Sequence, residues 1–95
     1  MRGRGWLVWD SWNKSHIKKH QVAISEVEEA YSGEIVESKS YLGRKVIFVR
    51  TRERRGLTIV VSPGVNSRHY VISARDMSKK ERRLYEQETR TEKAL

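Results

Sequence analysis

Two periods of apolar residues divide the chain. Near the start, WLVW (6–9) is a short apolar strand, followed by Asp10 and Ser11, either of which can cap a helix. NKSHIKKHQV (13–22) then reads as a short basic helix, with His16, Ile17 and His20 near one side. In ISEVEEAYSG (24–33), Ser25-x-x-Glu28 has the spacing of a capping box. Val27, Ala30 and Tyr31 follow at i, i+3 and i+4 as a buried stripe, and Gly33 stops the helix.

Beyond Gly33 the period shortens to two. EIVES (34–38) is a weak strand; KVIFVR (45–50) and LTIVVS (57–62) are strong ones, joined by the basic loop Thr51 to Gly56. SPGV (62–65) predicts a type II turn with Gly64 at positive φ. In the last strand, HYVISAR (69–75), alternation sends Tyr70, Ile72 and Ala74 to the core face. His69, Val71, Ser73 and Arg75 go to the other face. Ser78-x-x-Glu81 is a second capping box, opening a charged helix whose apolar content is little more than Leu84 and Tyr85. The predicted order is β-α-α-β-β-β-β-α. Short connections predict an antiparallel meander with the helices packed on one face, an α+β two-layer fold.

Size and composition narrow this further. The chain has 95 residues, enough for one domain, and 37% hydrophobic residues against 34% charged ones, so the core must be thin. With no cysteine, disulfides and thiolate metal sites are excluded. No apolar run approaches the roughly 20 residues of a membrane span, and the start lacks a signal-peptide pattern. A soluble cytoplasmic protein is expected. The net charge of +8 is segregated: residues 1–20 carry +4, residues 21–38 carry −5, residues 39–75 carry +8 and residues 76–95 carry +1. A basic surface set apart in this way is the footprint of a polyanion binder.

Two arginines at strand ends, Arg50 and Arg75, are placed to clamp a phosphate, which guanidinium matches with two parallel hydrogen bonds. Taken singly, each is better explained by a salt bridge to Asp76 or a helix glutamate. Taken with the charge segregation, the set points to phosphate. His16 and His20 share an i, i+4 spacing, but no third metal ligand is evident, so neither a metal nor another cofactor is expected. One of the pair suits proton transfer, or else ties helix to sheet. Trp6 and Trp12 offer stacking faces for bases, whereas Trp9 sits among apolar neighbours and reads as core.

Read together, WDSWNKSHIKKHQVAISEVEEAY and YVISARDMSKKERRLYE resemble the BrnT-type toxin family of bacterial toxin–antitoxin systems. The matching positions are Trp9, Asp10, Asn13, Lys19, His20, Val22, Glu26, Val27, Ser73, Ala74, Arg75, Glu81, Arg82 and Tyr85, so the resemblance runs from about Trp9 to Glu86. The chain departs from it at Gln21, where the family has glycine, and in the arginine-rich loop Arg52 to Gly56. The resemblance implies a single RelE-like toxin domain over residues 1–95 and a metal-independent ribonuclease that inhibits translation and growth. It also implies an adjacently encoded antitoxin as partner, and contact with DNA only through the toxin–antitoxin complex.

For such cleavage the 2′-hydroxyl attacks the neighbouring phosphorus, which requires cations around the phosphorane, a base and an acid. The expected catalytic set is Arg75 and Arg50 for charge, His20 as proton carrier, and Tyr85 or Lys19 as weaker carriers. Lys45, Arg52, Arg54, Arg55, Arg68, His69 and Trp12 would hold the RNA. The alternative is a non-catalytic module that uses the same basic surface to bind nucleic acid or an acidic partner.

Overall fold

A computed structural model of the chain describes residues 5–38 and 42–94. Arg2, Arg4 and Lys39, counted above among the bases, lie outside the described residues. Strand β1 (Trp6–Val8) leads into helix α1 (Ser11–Lys18) through a reciprocal cap. Asp10 Oδ1 accepts from the Asn13 amide at 3.0 Å, and Asn13 Oδ1 accepts from the Asp10 amide at 2.8 Å. Asn13 is fully buried, and its Nδ2 donates to the carbonyls of Val8 and Val71, both at 2.9 Å. One side chain therefore starts the helix and ties it to two strands.

Helix α1 ends in a Schellman turn, in which the Val22 amide donates to the Ile17 carbonyl and the Gln21 amide to that of Lys18. Gln21 takes the left-handed position at φ 59°, and the flanking Ile17 and Val22 are both buried. Helix α2 (Ile24–Tyr31) starts two residues earlier than the Ser25 spacing predicts. Its cap is Ala23, whose amide donates to Glu26 Oε1 at 3.0 Å. Ala23 has no side-chain acceptor, so only half of a reciprocal pair forms there. Val27, Ala30 and Tyr31 are buried as expected.

The chain then enters the far edge of the sheet. Strands β2 (Val36–Glu37), β3 (Lys45–Arg50), β4 (Gly56–Pro63) and β5 (Arg68–Asp76) form the antiparallel meander. Helix α3 (Lys79–Ala94) follows, opened by the Ser78–Glu81 box. The sheet order is β1-β5-β4-β3-β2, and β1 runs parallel to β5. An all-antiparallel sheet is therefore corrected to a mixed one. The two helices between β1 and β2 carry the chain across the sheet, which leaves β1 beside the last strand instead of the next one.

A β-bulge corrects the faces of β5. The register passes from Val60↔Ser73 to Val61↔Val71, so Ile72 has no partner and the alternation slips by one residue. Val71 and Ala74, not Ile72, are buried. The SPGV turn is corrected too: Gly64 has φ −126°, and the left-handed residues are Asn66 and Ser67 in a 3₁₀ turn. Gly64 is needed for space, since a Cβ there would lie 2.7 Å from the Arg68 carbonyl oxygen.

The helices occupy both faces of the sheet, which corrects the one-face expectation. Ile17, Val22, Val27, Ala30 and Tyr31 of the α1–α2 segment pack against Ile47, Val49, Leu57, Ile59, Val61, Val71 and Ala74. Trp9 packs at the margin of this core, with its indole N–H donating to Glu28 at 2.7 Å. Across the sheet, Tyr85 of α3 packs with Phe48 and Met77, flanked by Val36 and Val46. Tyr85 and Thr89 form the inward stripe of α3, and Leu84, one position off it, stays 39% exposed. The whole is an α+β domain with a five-stranded mixed sheet and three helices. No helix among the described residues is long and apolar enough to cross a membrane.

Candidate nucleic-acid interface

The α3 face of the sheet carries the two strand-end arginines. Thr58 pairs with Phe48 on one side and Arg75 on the other, so these three residues form a row across β3, β4 and β5. Helix α3 lies along this face, and its first turn brings Glu81 onto the row. Arg75 donates through both terminal nitrogens to the two oxygens of Glu81, each at 2.9 Å, and through Nη1 to the Asp76 carbonyl at 3.0 Å. Glu81 also accepts from the Thr58 hydroxyl at 2.8 Å and the Ser78 amide at 2.9 Å. The Arg75 guanidinium leads the forces that hold the Glu81 carboxyl down to about 2, with the Ser78 and Thr58 donors adding to it against burial. The same pair pushes Arg75 further up. Glu81 is thus a fixed anion at neutral pH. The Arg75 side chain keeps 43% exposure, and its Nε–H and second Nη2–H have no protein partner among the described residues. These two N–H groups lie side by side and form a second fork.

Farther along α3, Arg50 sits over the Tyr85 ring, 5.2 Å from its centroid, and 4.0 Å from Glu86 Oε2. Arg50, Arg54, Glu86, Thr89 and Arg90 line a shallow groove of about 240 Å³. Three guanidinium groups thus face one carboxylate in a space that admits an anion. Arg54 reaches it from the β3–β4 loop, whose tight return places Arg54 at φ 69° and joins the Arg54 amide to the Thr51 carbonyl at 2.9 Å. Sequence reasoning missed Thr89, Arg90 and Glu86. The signal was present as helical spacing, with Tyr85–Thr89 and Glu86–Arg90 both at i, i+4.

The remaining expected residues fall into three places. Tyr85 is only 3% exposed, and its hydroxyl donates to the Glu34 carbonyl at 3.1 Å. Burial chiefly pushes that hydroxyl above its ordinary range. His20 and Lys19 are exposed at the end of α1, which packs on the opposite face of the sheet, so they do not join Arg50 and Arg75. Trp12, also on α1, is 56% exposed and stacks on His16.

Three of the other expected bases, Arg55, Lys45 and Arg52, are paired with carboxylates. Arg55 binds Asp76 at 2.8 Å, Glu26 at 2.8 and 3.0 Å, and the Gln21 carbonyl at 3.0 Å, tying three segments together. Its bond lowers Asp76, and it joins the Ala23 amide in lowering Glu26. Lys45 lies 3.7 Å from Glu37 and Arg52 3.6 Å from Glu29. Arg68 covers the Trp6 ring at 6.0 Å. His69 is half-buried, and its Nδ1 is buried without a hydrogen-bond partner among the described residues. Comparison of the chain with protein-family models, curated proteins and solved structures gives no match to any of them.

Proposed function

We propose that the chain is a metal-independent ribonuclease toxin of RelE-like fold, neutralised by a cognate antitoxin, with its phosphate site in the groove beside α3. The observation that carries this reading is the convergence of Arg50, Arg54 and Arg90 on that groove. In that groove three guanidinium groups meet a single carboxylate, that of Glu86. The family resemblance supplies the reaction, and the groove supplies cations for the charge that grows on phosphorus. The 2′-oxygen bonds to phosphorus and the bond from phosphorus to the 5′-oxygen breaks. Glu86, beside Arg50, takes the 2′-hydroxyl proton, and water protonates the departing oxygen. The products are a 2′,3′-cyclic phosphate and a 5′-hydroxyl. Arg75, held by Glu81, offers its free fork to a flanking phosphate.

Incubation of the purified protein with RNA in EDTA tests this. Fragments with 2′,3′-cyclic ends are expected, and Arg50→Ala should slow their formation about 10²–10³-fold. Cleavage by Arg50→Ala at the wild-type rate would refute the site. A second reading, a binding module that does not cleave, is favoured by the bidentate Arg75–Glu81 pair and by the position of His20 and Lys19 on the opposite layer. It predicts intact RNA with a salt-sensitive mobility shift.

A further inference from the structure

Helix α1 carries a second surface that the phosphate groove does not use. Trp12, His16 and His20 follow one another at i, i+4 and i+8, on the flank beside the buried residues Asn13 and Ile17. The Trp12 and His16 rings stack with centroids 4.8 Å apart and planes within 9°. His20 meets His16 edge-on at 6.0 Å. A cavity of about 370 Å³ opens beside this ladder, lined by Ser11, Trp12, Ser15, His16 and Lys19. The Trp12 indole is 56% exposed, and the core on the inner side of α1 forms without it.

We infer that this cavity binds an unpaired nucleobase of single-stranded RNA, with the base stacked on the Trp12–His16 ladder. The ladder supplies a flat π surface. The hydroxyls of Ser11 and Ser15 can donate to or accept from a base edge. Lys19 is a point charge for the attached phosphate. The stack already formed between Trp12 and His16 holds the indole in place, so a base meets a preset surface. Every base has a π face, so the site accepts any base and sets no sequence. Nothing in this site depends on cleavage, so the inference stands apart from the reaction proposed above.

A single-stranded 2′-O-methyl oligoribonucleotide of about eight nucleotides, within the range that single-strand binders occupy, is the probe. It lacks the attacking hydroxyl, so binding is read without cleavage. Trp12→Ala is expected to weaken binding about 5- to 150-fold, the range spanned by one base–aromatic stack. Trp12→Phe should recover most of that loss. Lys19→Ala should weaken binding and reduce its salt dependence by about one phosphate contact. Trp12 is exposed, so circular dichroism should show both Trp12 variants folded. Equal affinity of the wild type and Trp12→Ala would overturn the inference and leave the ladder to a protein partner. Arg50→Ala, measured with the same probe, separates the two sites: its failure to weaken binding would count against the groove and leave the ladder untouched.

Discussion

The two faces of the sheet are built from different materials. On the α1–α2 face, strand residues such as Ile47, Val49, Leu57, Ile59 and Val61 meet Ile17, Val22 and Val27 in a dry aliphatic layer. On the α3 face, the apolar part shrinks to Phe48, Met77 and Tyr85, and a charged seam of Thr58, Arg75 and Glu81 runs beside it. The first face stabilises by removing apolar area from water, with no demand on orientation. The second uses hydrogen bonds whose geometry is fixed and whose net contribution is smaller. A chain with so few apolar residues fills one layer well and leaves the other polar. The polar layer also carries the arginine-lined groove and the free guanidinium N–H groups of Arg75.

The dry face should be the more sensitive to truncation. Ile59 is fully buried and points to it, whereas its neighbour Thr58 points to the seam. Ile59→Ala is expected to cost about 2–5 kcal/mol in urea or thermal unfolding. A loss much below that range would mean the aliphatic layer is looser than its burial indicates, and the contrast between faces would fail.

On the polar face the largest effect should come from Glu81→Gln. The substitution removes the charge from a bidentate pair and weakens the bond from Thr58, while Arg75, still part-exposed, is rehydrated. A cost of about 1–3 kcal/mol is expected, smaller than that of Ile59→Ala. The pH dependence identifies the source. Glu81 titrates near its ordinary 4.5 in the unfolded chain and at about 2 in the folded one. Because the folded value is depressed, its contribution is fully present above 4.5 and is lost as pH falls towards 2. The stability difference between wild type and Glu81→Gln should therefore be constant near neutrality and shrink across that window. A difference that does not change with pH would show that the carboxylate charge plays no part.

This contrast was only half legible in the sequence. The dry layer was readable because Val27–Ala30–Tyr31 and the β3 and β4 runs obey simple periods. The seam was not, because its partners are distant in the chain: Thr58, Arg75 and Glu81 meet only after β4 and β5 pair and α3 turns back over them. The Ser78–Glu81 box was visible, but the spacing of a cap says nothing of the arginine that shares its carboxylate. The β5 faces failed for a different reason. A bulge adds one residue without any mark in a β-branched run, and every side chain before Ile72 changes sides. The placement of α3 failed because a helix with one buried aromatic carries too weak an apolar stripe to tell which face of a sheet it covers.

The smallest expected effect lies at the end of α1, on the dry face. Gln21 occupies the left-handed position of the Schellman turn at φ 59°, a position that favours glycine. A side chain there costs about 1–2 kcal/mol against the right-handed form, because its Cβ crowds the backbone. Glycine removes that strain but gives back about 0.5–1 kcal/mol in the entropy of the unfolded chain. The Arg55 bond to the Gln21 carbonyl uses backbone only and survives the change. Gln21→Gly should therefore raise stability by roughly 0.8 kcal/mol, the difference between the midpoints of these two ranges. Because the turn seats Ile17 and Val22 in the aliphatic layer, the gain should be the same at pH 7 and at pH 3, unlike that of the Glu81 pair. Equal or lower stability of Gln21→Gly in chemical denaturation would mean that the glutamine side chain makes a compensating contact that glycine loses.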